Sequence, residues 1–316
     1  MGPAPDQATG PTAPSAGNAP VTMTLERRRT PLRERLKIPL MLTPALAVIL
    51  VLFLGGLIAG LMQSLGYFPA AGLTEFTFRH YVDAVTDRNF LVSLWTTFRI
   101  AFSVTLLSTV FAVGAALVLR QRFPGSRLAT FLFQIPLPVP HLVAASAVIL
   151  LFAQSGLLSR IGAALGLINA PGEFPAILYD KASIGVMLSF MWKEIPFVGL
   201  VVLAILQSVG PQYEELAQTL GATKRQRLVH VLLPLIMPGV VSTWIIVFAF
   251  TFANFEIPLL LGQSFPTTLP VQAFREFQRP ELTSRPKGMA IAIVLAVITV
   301  LLLIAYRRLA RYSRST

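Results

Sequence analysis

The sequence predicts an all-α integral membrane protein with six transmembrane helices and both termini cytoplasmic. Three observations carry this. The 316-residue chain is 54% hydrophobic and 13% charged, whereas a soluble globular domain carries about 25% charge. Six apolar runs, roughly 38–65, 91–119, 128–153, 183–206, 236–261 and 288–306, reach the length of about 20 residues that a spanning helix needs. Lysine and arginine outside those runs are divided sixteen to eight between the two sides, and the richer side is the cytoplasmic one.

Residues 1–24 are rich in Pro, Ala, Gly, Ser and Thr and have almost no bulky side chains. Such a segment cannot bury enough apolar surface to order itself, and a disordered tail is expected. Residues 25–37 form a basic cytoplasmic segment holding Arg27, Arg28, Arg29, Arg33, Arg35 and Lys37. The N-terminal transmembrane helix, 38–65, starts too late and runs too long for a signal-peptide core.

The second span carries Arg99, whose long stem is expected to snorkel outward, and is followed by Arg120, Arg122 and Arg127. In the third, "PLPVPH" places Pro136, Pro138 and Pro140 inside an apolar run. The backbone groups so freed are tolerated only against protein or a water-filled cavity. A structural kink and a kink that shapes a path are both open. The fourth span holds Lys193 and Glu194, and the fifth holds Asn254 and Glu256 toward its outer end. Charges within a span usually face a bundle interior or an aqueous path. These four are candidates for a translocation path. The alternative for Lys193 and Glu194 is that Pro196 breaks the span and leaves them near the outer interface. For Asn254 and Glu256 it is interfacial solvation. The outer loop 263–287 carries Arg275, Arg279, Arg285 and Lys287, against the charge rule. The last span is followed by a basic cytoplasmic tail, 307–316, with Arg307, Arg308, Arg311 and Arg314.

Between spans four and five lies the long polar stretch "EELAQTLGATKRQRLVHVLLPLIMP". Tyr213, Leu216, Ala217 and Leu220 recur at helical spacing and share one face, with Glu214, Glu215, Gln218 and Thr219 on the other. Gly221 stands where helices commonly end in a left-handed residue. The result is an amphipathic helix of about two turns, too short to span. Its apolar face goes into lipid headgroups or into a groove on another protein. Lipid-seeking helices prefer Lys and Arg on the polar face. Here that face is acidic and the basic residues follow only after Gly221, which favours a protein partner over lipid; packing on the chain's own helix ends is the alternative.

Glu215, Leu216, Ala217, Gly221, Val231, Leu233 and Pro234 resemble, at full spacing, the cytoplasmic-loop signature of permease subunits of binding-protein-dependent type I ABC importers. That signature is Glu-Ala-Ala, three residues, Gly, nine residues, Ile-x-Leu-Pro. Leu216 replaces an alanine and Val231 the isoleucine. The resemblance covers a five-helix core over 91–306, with the coupling loop at 208–238. It implies the type I importer permease fold and a coupling helix on the cytoplasmic side that docks in a cleft of an ATPase dimer. It further implies a second permease subunit, an extracytoplasmic solute-binding protein, and a place in the bacterial inner membrane. The coupling residues it marks, with the apolar face, are Tyr213, Glu215, Leu216, Ala217, Leu220, Gly221, Leu233 and Pro234.

Several function classes are disfavoured. Cysteine is absent, which removes disulfides, thiolate metal sites and cysteine nucleophiles. No G-x-x-x-x-G-K-[ST] loop is present, so ATP hydrolysis is expected on a partner chain. No G-x-S-x-G or H-E-x-x-H occurs, and His80, His141 and His230 lack metal-ligand spacing. Neither a cofactor nor a metal is expected. The net charge of +12 reflects basic cytoplasmic loops rather than a nucleic-acid partner; the surrounding partner is membrane lipid. A secondary transporter or channel would account for six spans but not for the polar stretch. The run from Asn254 to Phe277 is similar to the branch handling polyamines, ferric iron, thiamine and phosphonates, while "MWKEIPF" is similar to sugar permeases. A small organic ion is the expected cargo class, with a sugar as the alternative.

Overall fold

The computed structural model describes residues 32–121 and 123–312. The expected disordered tail at 1–24, and most of the basic segment after it, lie outside the described residues. So do Arg122 and residues 313–316.

The chain divides into two units, up to Gly55 and from Gly56 onward. The described part of the first is the opening two-thirds of α1 (Leu32–Ser64), whose side chains from Met41 to Gly55 are all exposed. The second unit holds the end of α1 and twelve further helices. In order these are α2 (Arg79–Thr86), α3 (Arg88–Leu119), α4 (Ser126–Gln134), α5 (His141–Phe152) and α6 (Leu157–Ala164). There follow α7 (Ile184–Val209), α8 (Gln212–Thr219), α9 (Lys224–Arg227) and α10 (Leu233–Ala253). The last are α11 (Glu256–Leu261), α12 (Leu269–Phe277) and α13 (Arg285–Tyr312). Among the described residues six stretches are long and apolar enough to cross a membrane, and no strand forms beyond one isolated bridge, Phe68 to Leu73.

α3 is the axis of the second unit. One face is lined by small residues, Ser93, Thr97, Ala101, Thr105, Ser108, Ala112 and Ala116, all buried. Small side chains let helices approach closely where lipid supplies no hydrophobic drive. Thr97 and Thr105 satisfy their hydroxyls on the carbonyls of Ser93 and Ala101, one turn back. The opposite face shows Trp95, Phe102, Val110 and Phe111 to the surroundings. α3 contributes to all three apolar clusters. One joins it to α10, α12 and α13 through Phe248, Phe252, Leu269 and Ile291. A second joins it to α5, α7 and α11 through Ala145, Phe190, Ile257 and Leu261. The third joins it to α7 and α10 through Val198, Val202, Ile236 and Val247.

The prolines act differently from one another. α7 runs unbroken through Pro196, so Lys193 and Glu194 sit in a continuous helix, both buried, and not at a broken outer end. α10 likewise continues through Pro238. The expected third span at 128–153 is instead two helices, α4 and α5, parted over 135–140, where three prolines in five residues leave too few amide donors for a ladder. The apolar stretch of spanning length there is His141–Ala164, itself interrupted after Phe152. The fifth span stops at Ala253 rather than continuing to 261, because Asn254 adopts extended backbone and α11 starts anew.

Two ion pairs mark opposite ends of the bundle. Arg120, just past α3, meets Glu214 of α8. Asp87, just before α3, meets Lys287 near the start of α13.

Candidate functional site: an uncovered helix and a polar break

α7 ends at Gly210, whose φ of 70° turns the chain sharply. Pro211 caps α8, and Glu214 and Glu215 occupy its first turn, where negative charge suits the helix dipole. At the other end Gly221 has φ 84°. Its N–H donates to the Gln218 carbonyl at 2.9 Å and the Ala222 N–H to the Ala217 carbonyl at 3.0 Å. This pair of bonds closes the helix on a left-handed glycine. Thr223 then starts α9 with a reciprocal cap: its hydroxyl accepts from the Gln226 N–H, and the Gln226 side chain accepts from the Thr223 N–H. A turn of π-helix at Leu228–Leu232 leads into α10. Pro234 accounts for it, since a proline ring clashes with the carbonyl four residues earlier and a widened turn relieves that. Leu233 is half-buried at the base of α10, and Pro234 is exposed.

α8 is therefore fixed at both ends, yet its apolar face is uncovered. Tyr213, Leu216 and Leu220 are 54%, 62% and 81% exposed, with Ala217 half-buried between them. The polar face is not uniform. Glu215 is exposed, but Glu214 is turned inward, where the Arg120 Nη2 donates to both of its carboxylate oxygens at 2.9 and 2.7 Å. Arg227 Nη1 donates to Gln218 Oε1 at 2.7 Å. Neither tie was read from the sequence, since the first joins residues 94 apart. Its only signal was an arginine at the first position past an apolar run. A cavity of about 930 Å³ opens between the ends of α3 and α7, α4 and the start of α8, and Arg120, Arg127, Gln134 and Gln207 are among its lining.

The second polar locus lies inside the bundle. Lys193 of α7 donates its Nζ to the carbonyls of Val139 and Leu137. Those carbonyls belong to the proline-rich break, and an ammonium with three donors suits the acceptors that the break leaves open. Glu194 has His141 Nε2 at 4.0 Å, and the His141 ring lies 4.9 Å from Phe250. Leu137, His141, Lys193, Glu194, Phe197 and Phe250 line a smaller cavity of about 270 Å³. Asn254 and Glu256 are not among that lining. Asn254 Oδ1 accepts from the Ile257 N–H at 3.2 Å, in the first turn of α11, and Glu256 is half-buried. Arg99 reaches out to the turn before α7, where it donates to the carbonyls of Lys181 and Ala182 and to the hydroxyl of Ser183. Among the described residues no group of three or more His, Asp or Glu side chains is placed to hold a metal ion.

A bundle of spanning helices with a polar break inside it and a rigid amphipathic helix uncovered at one end is the build of a polytopic transport protein. A family model described as binding-protein-dependent transport system inner membrane component matches residues 108–315, and the chain belongs to that family. It is a permease subunit of a binding-protein-dependent ABC importer and a multi-pass inner-membrane protein. The sulfate transport system permease protein CysT of Salmonella typhimurium is 28% identical over 247 residues, 77% of this chain and 84% of that protein. The trehalose/maltose transport system permease protein MalF of Thermococcus litoralis is 26% identical over 87% of this chain and 94% of its own length. The fold is shared with a bacterial alginate ABC transporter solved in complex with an alginate pentasaccharide-bound periplasmic protein. The TM-score is 0.75 at 19% identity, over 90% of this chain and 97% of that one.

Proposed function

We propose that this permease is driven by a separate ATPase chain that docks on α8 at the cytoplasmic face, with both termini on that side. The observation that carries this is the uncovered face of Tyr213, Leu216 and Leu220 on a helix locked at both ends. A helix kept rigid while its leucines stay in water is prepared for a partner, because a fixed backbone lowers the ordering cost of binding. The ATPase works as a dimer. A second permease subunit completes the path, and an extracytoplasmic binding protein delivers cargo. Gly221 sets the angle at which α8 leaves the docking cleft, and Leu233 and Pro234 seat the loop on α10.

Lys193 and Glu194, with the proline break, form the polar part of the path through this subunit. Asn254 and Glu256 belong to its outer half. Cargo is a small ion. The class expected from the sequence was polyamine, phosphonate, thiamine or ferric iron. The sulfate relative moves the weight within small ions toward oxyanions. The net positive segment 263–287 suits that direction better than a polycation. The trehalose/maltose relative keeps a sugar as the second reading. Uptake of labelled sulfate against trehalose and spermidine separates the three.

The docking claim is tested by co-purification. Burying a leucine-sized side chain contributes about 1.5–3 kcal/mol. Leu216→Asp or Leu220→Asp is therefore expected to weaken ATPase binding by about tenfold or more while the permease inserts normally. Full retention of the ATPase by both variants would sink the reading.

A further inference from the structure

We propose, on the docking role given to α8 above, that the Arg120–Glu214 ion pair is a strut that carries movement of α3 into α8. Both side chains are then positioning residues for ATP-driven coupling. α8 joins the bundle by three routes. Two are covalent: through Gly210 and Pro211 to α7, and through α9 and the widened turn to α10. Gly210 makes the turn in the first of these with a φ of 70° that other residues rarely take. The third route is the ion pair, which joins α8 to α3.

α3 is the helix present in all three apolar clusters, so a rearrangement within any of them reaches it. Arg120 is its first residue past the last turn. The pair lies in the wall of the 930 Å³ cavity that separates the end of α3 from the start of α8, and it spans the gap that packing leaves open. Solvent-exposed ion pairs contribute little, but these side chains are only 25% and 19% exposed and are screened less. The contact is short and one nitrogen serves both oxygens, which fixes distance more than rotation, as a strut requires. Glu215, one residue on, is exposed and forms no such link.

The test uses the full chain purified with its ATPase in vesicles, with one cysteine introduced at exposed Ser264 on the opposite end of the bundle. This chain has no cysteine of its own. The readout is the thiol-labelling rate with and without ATP plus vanadate. With the native pair the rate is expected to change by about fivefold or more, the lower range of coupling between sites. Arg120→Ala and Glu214→Ala should each abolish the change while the ATPase still co-purifies. The exchange of Arg120→Glu with Glu214→Arg should restore it to within about twofold, because the two sites act as one. Glu214→Gln, which keeps shape and removes charge, covers the case in which an alanine variant does not assemble, and should lose most of the response. An ATP response absent with the native pair, retained in the single variants, or not restored by the exchange overturns the strut. Loss of the ATPase on Leu220→Asp beside an unaffected Arg120→Ala would end the strut alone; retention of the ATPase on Leu220→Asp ends the docking reading itself.

Discussion

α8 and α12 are two short amphipathic helices at opposite ends of one bundle, and they treat their apolar faces in opposite ways. α12 puts Leu269 and Ala273 into the apolar cluster that joins α3, α10 and α13, and its Val271 is also fully buried. Its first N–H is satisfied by Thr97 of α3 at 2.8 Å. α8 is tied to α3 through the single Arg120–Glu214 ion pair and holds its two leucines and its tyrosine in the open. Similar length and pattern therefore serve two ends. One helix is part of this chain's own core, and the other keeps its apolar face as an open surface.

The largest effect that separates them comes from a charge on each face. Leu269→Asp buries an unpaired carboxylate and removes core packing, so a loss of about 3 kcal/mol or more is expected. It should be seen as loss of monodisperse protein and a lower Tm. Leu220→Asp should leave both unchanged, since its side chain is exposed. A lower Tm for Leu220→Asp would break the contrast.

A smaller effect is expected at Gly221. Nothing lies within 4 Å of a Cβ placed there, so a substitution acts only through the backbone. A left-handed non-glycine residue costs roughly 1–2 kcal/mol. Gly221→Val should insert and fold but tilt α8, lowering uptake and ATP hydrolysis by the complex more than it lowers ATPase binding. Thr219→Val, on the polar face, serves as the control. Equal losses in hydrolysis and binding would assign Gly221 to the contact itself rather than to its angle.

The smallest effect belongs to the end opposite α8. The Asn89 N–H, with the Lys287 ammonium adding to it, holds the Asp87 carboxyl below its ordinary value of 3.8, burial opposing them. A carboxyl lowered by folding stabilises the fold above its unfolded pKa, and that contribution fades as pH falls through the folded value. Between about pH 5 and about pH 3 the native protein should lose Tm more steeply than Asp87→Asn. The asparagine keeps the cap and loses the ion pair, a change of about 1 kcal/mol or less. Parallel pH profiles would show that the carboxylate does not stabilise this end.

The sequence made the helices legible because hydropathy and length determine a span almost alone. Five of the six expected runs coincide with long helices whose ends moved by a few residues, except where Asn254 cut the fifth short. Prolines were the weak point. Pro196 and Pro238 lie within helices whose neighbours accommodate them, while Pro136, Pro138 and Pro140 come too close together for any helix to pass. Three prolines within five residues break a helix by spacing, whereas whether a single proline is accommodated depends on packing that the sequence does not show. The α8 face was readable from periodicity, and Gly221 from the chemistry of helix ends. What could not be read were the partners of charges. Lys193 turns to carbonyls more than fifty residues away, and Glu214 parts from Glu215 to meet Arg120. Such ties depend on which helices become neighbours, which local pattern does not encode.

The central claim is that α8 was left uncovered for an ATPase. Its most direct measurement places a photo-crosslinking residue at Leu220 in intact membranes, with a second variant carrying it at buried Val271 as reference. The account predicts that Leu220 forms an adduct with a nucleotide-binding polypeptide and that Val271 forms adducts only within its own chain. Adducts at Leu220 with lipid alone, or with this chain alone, would contradict it.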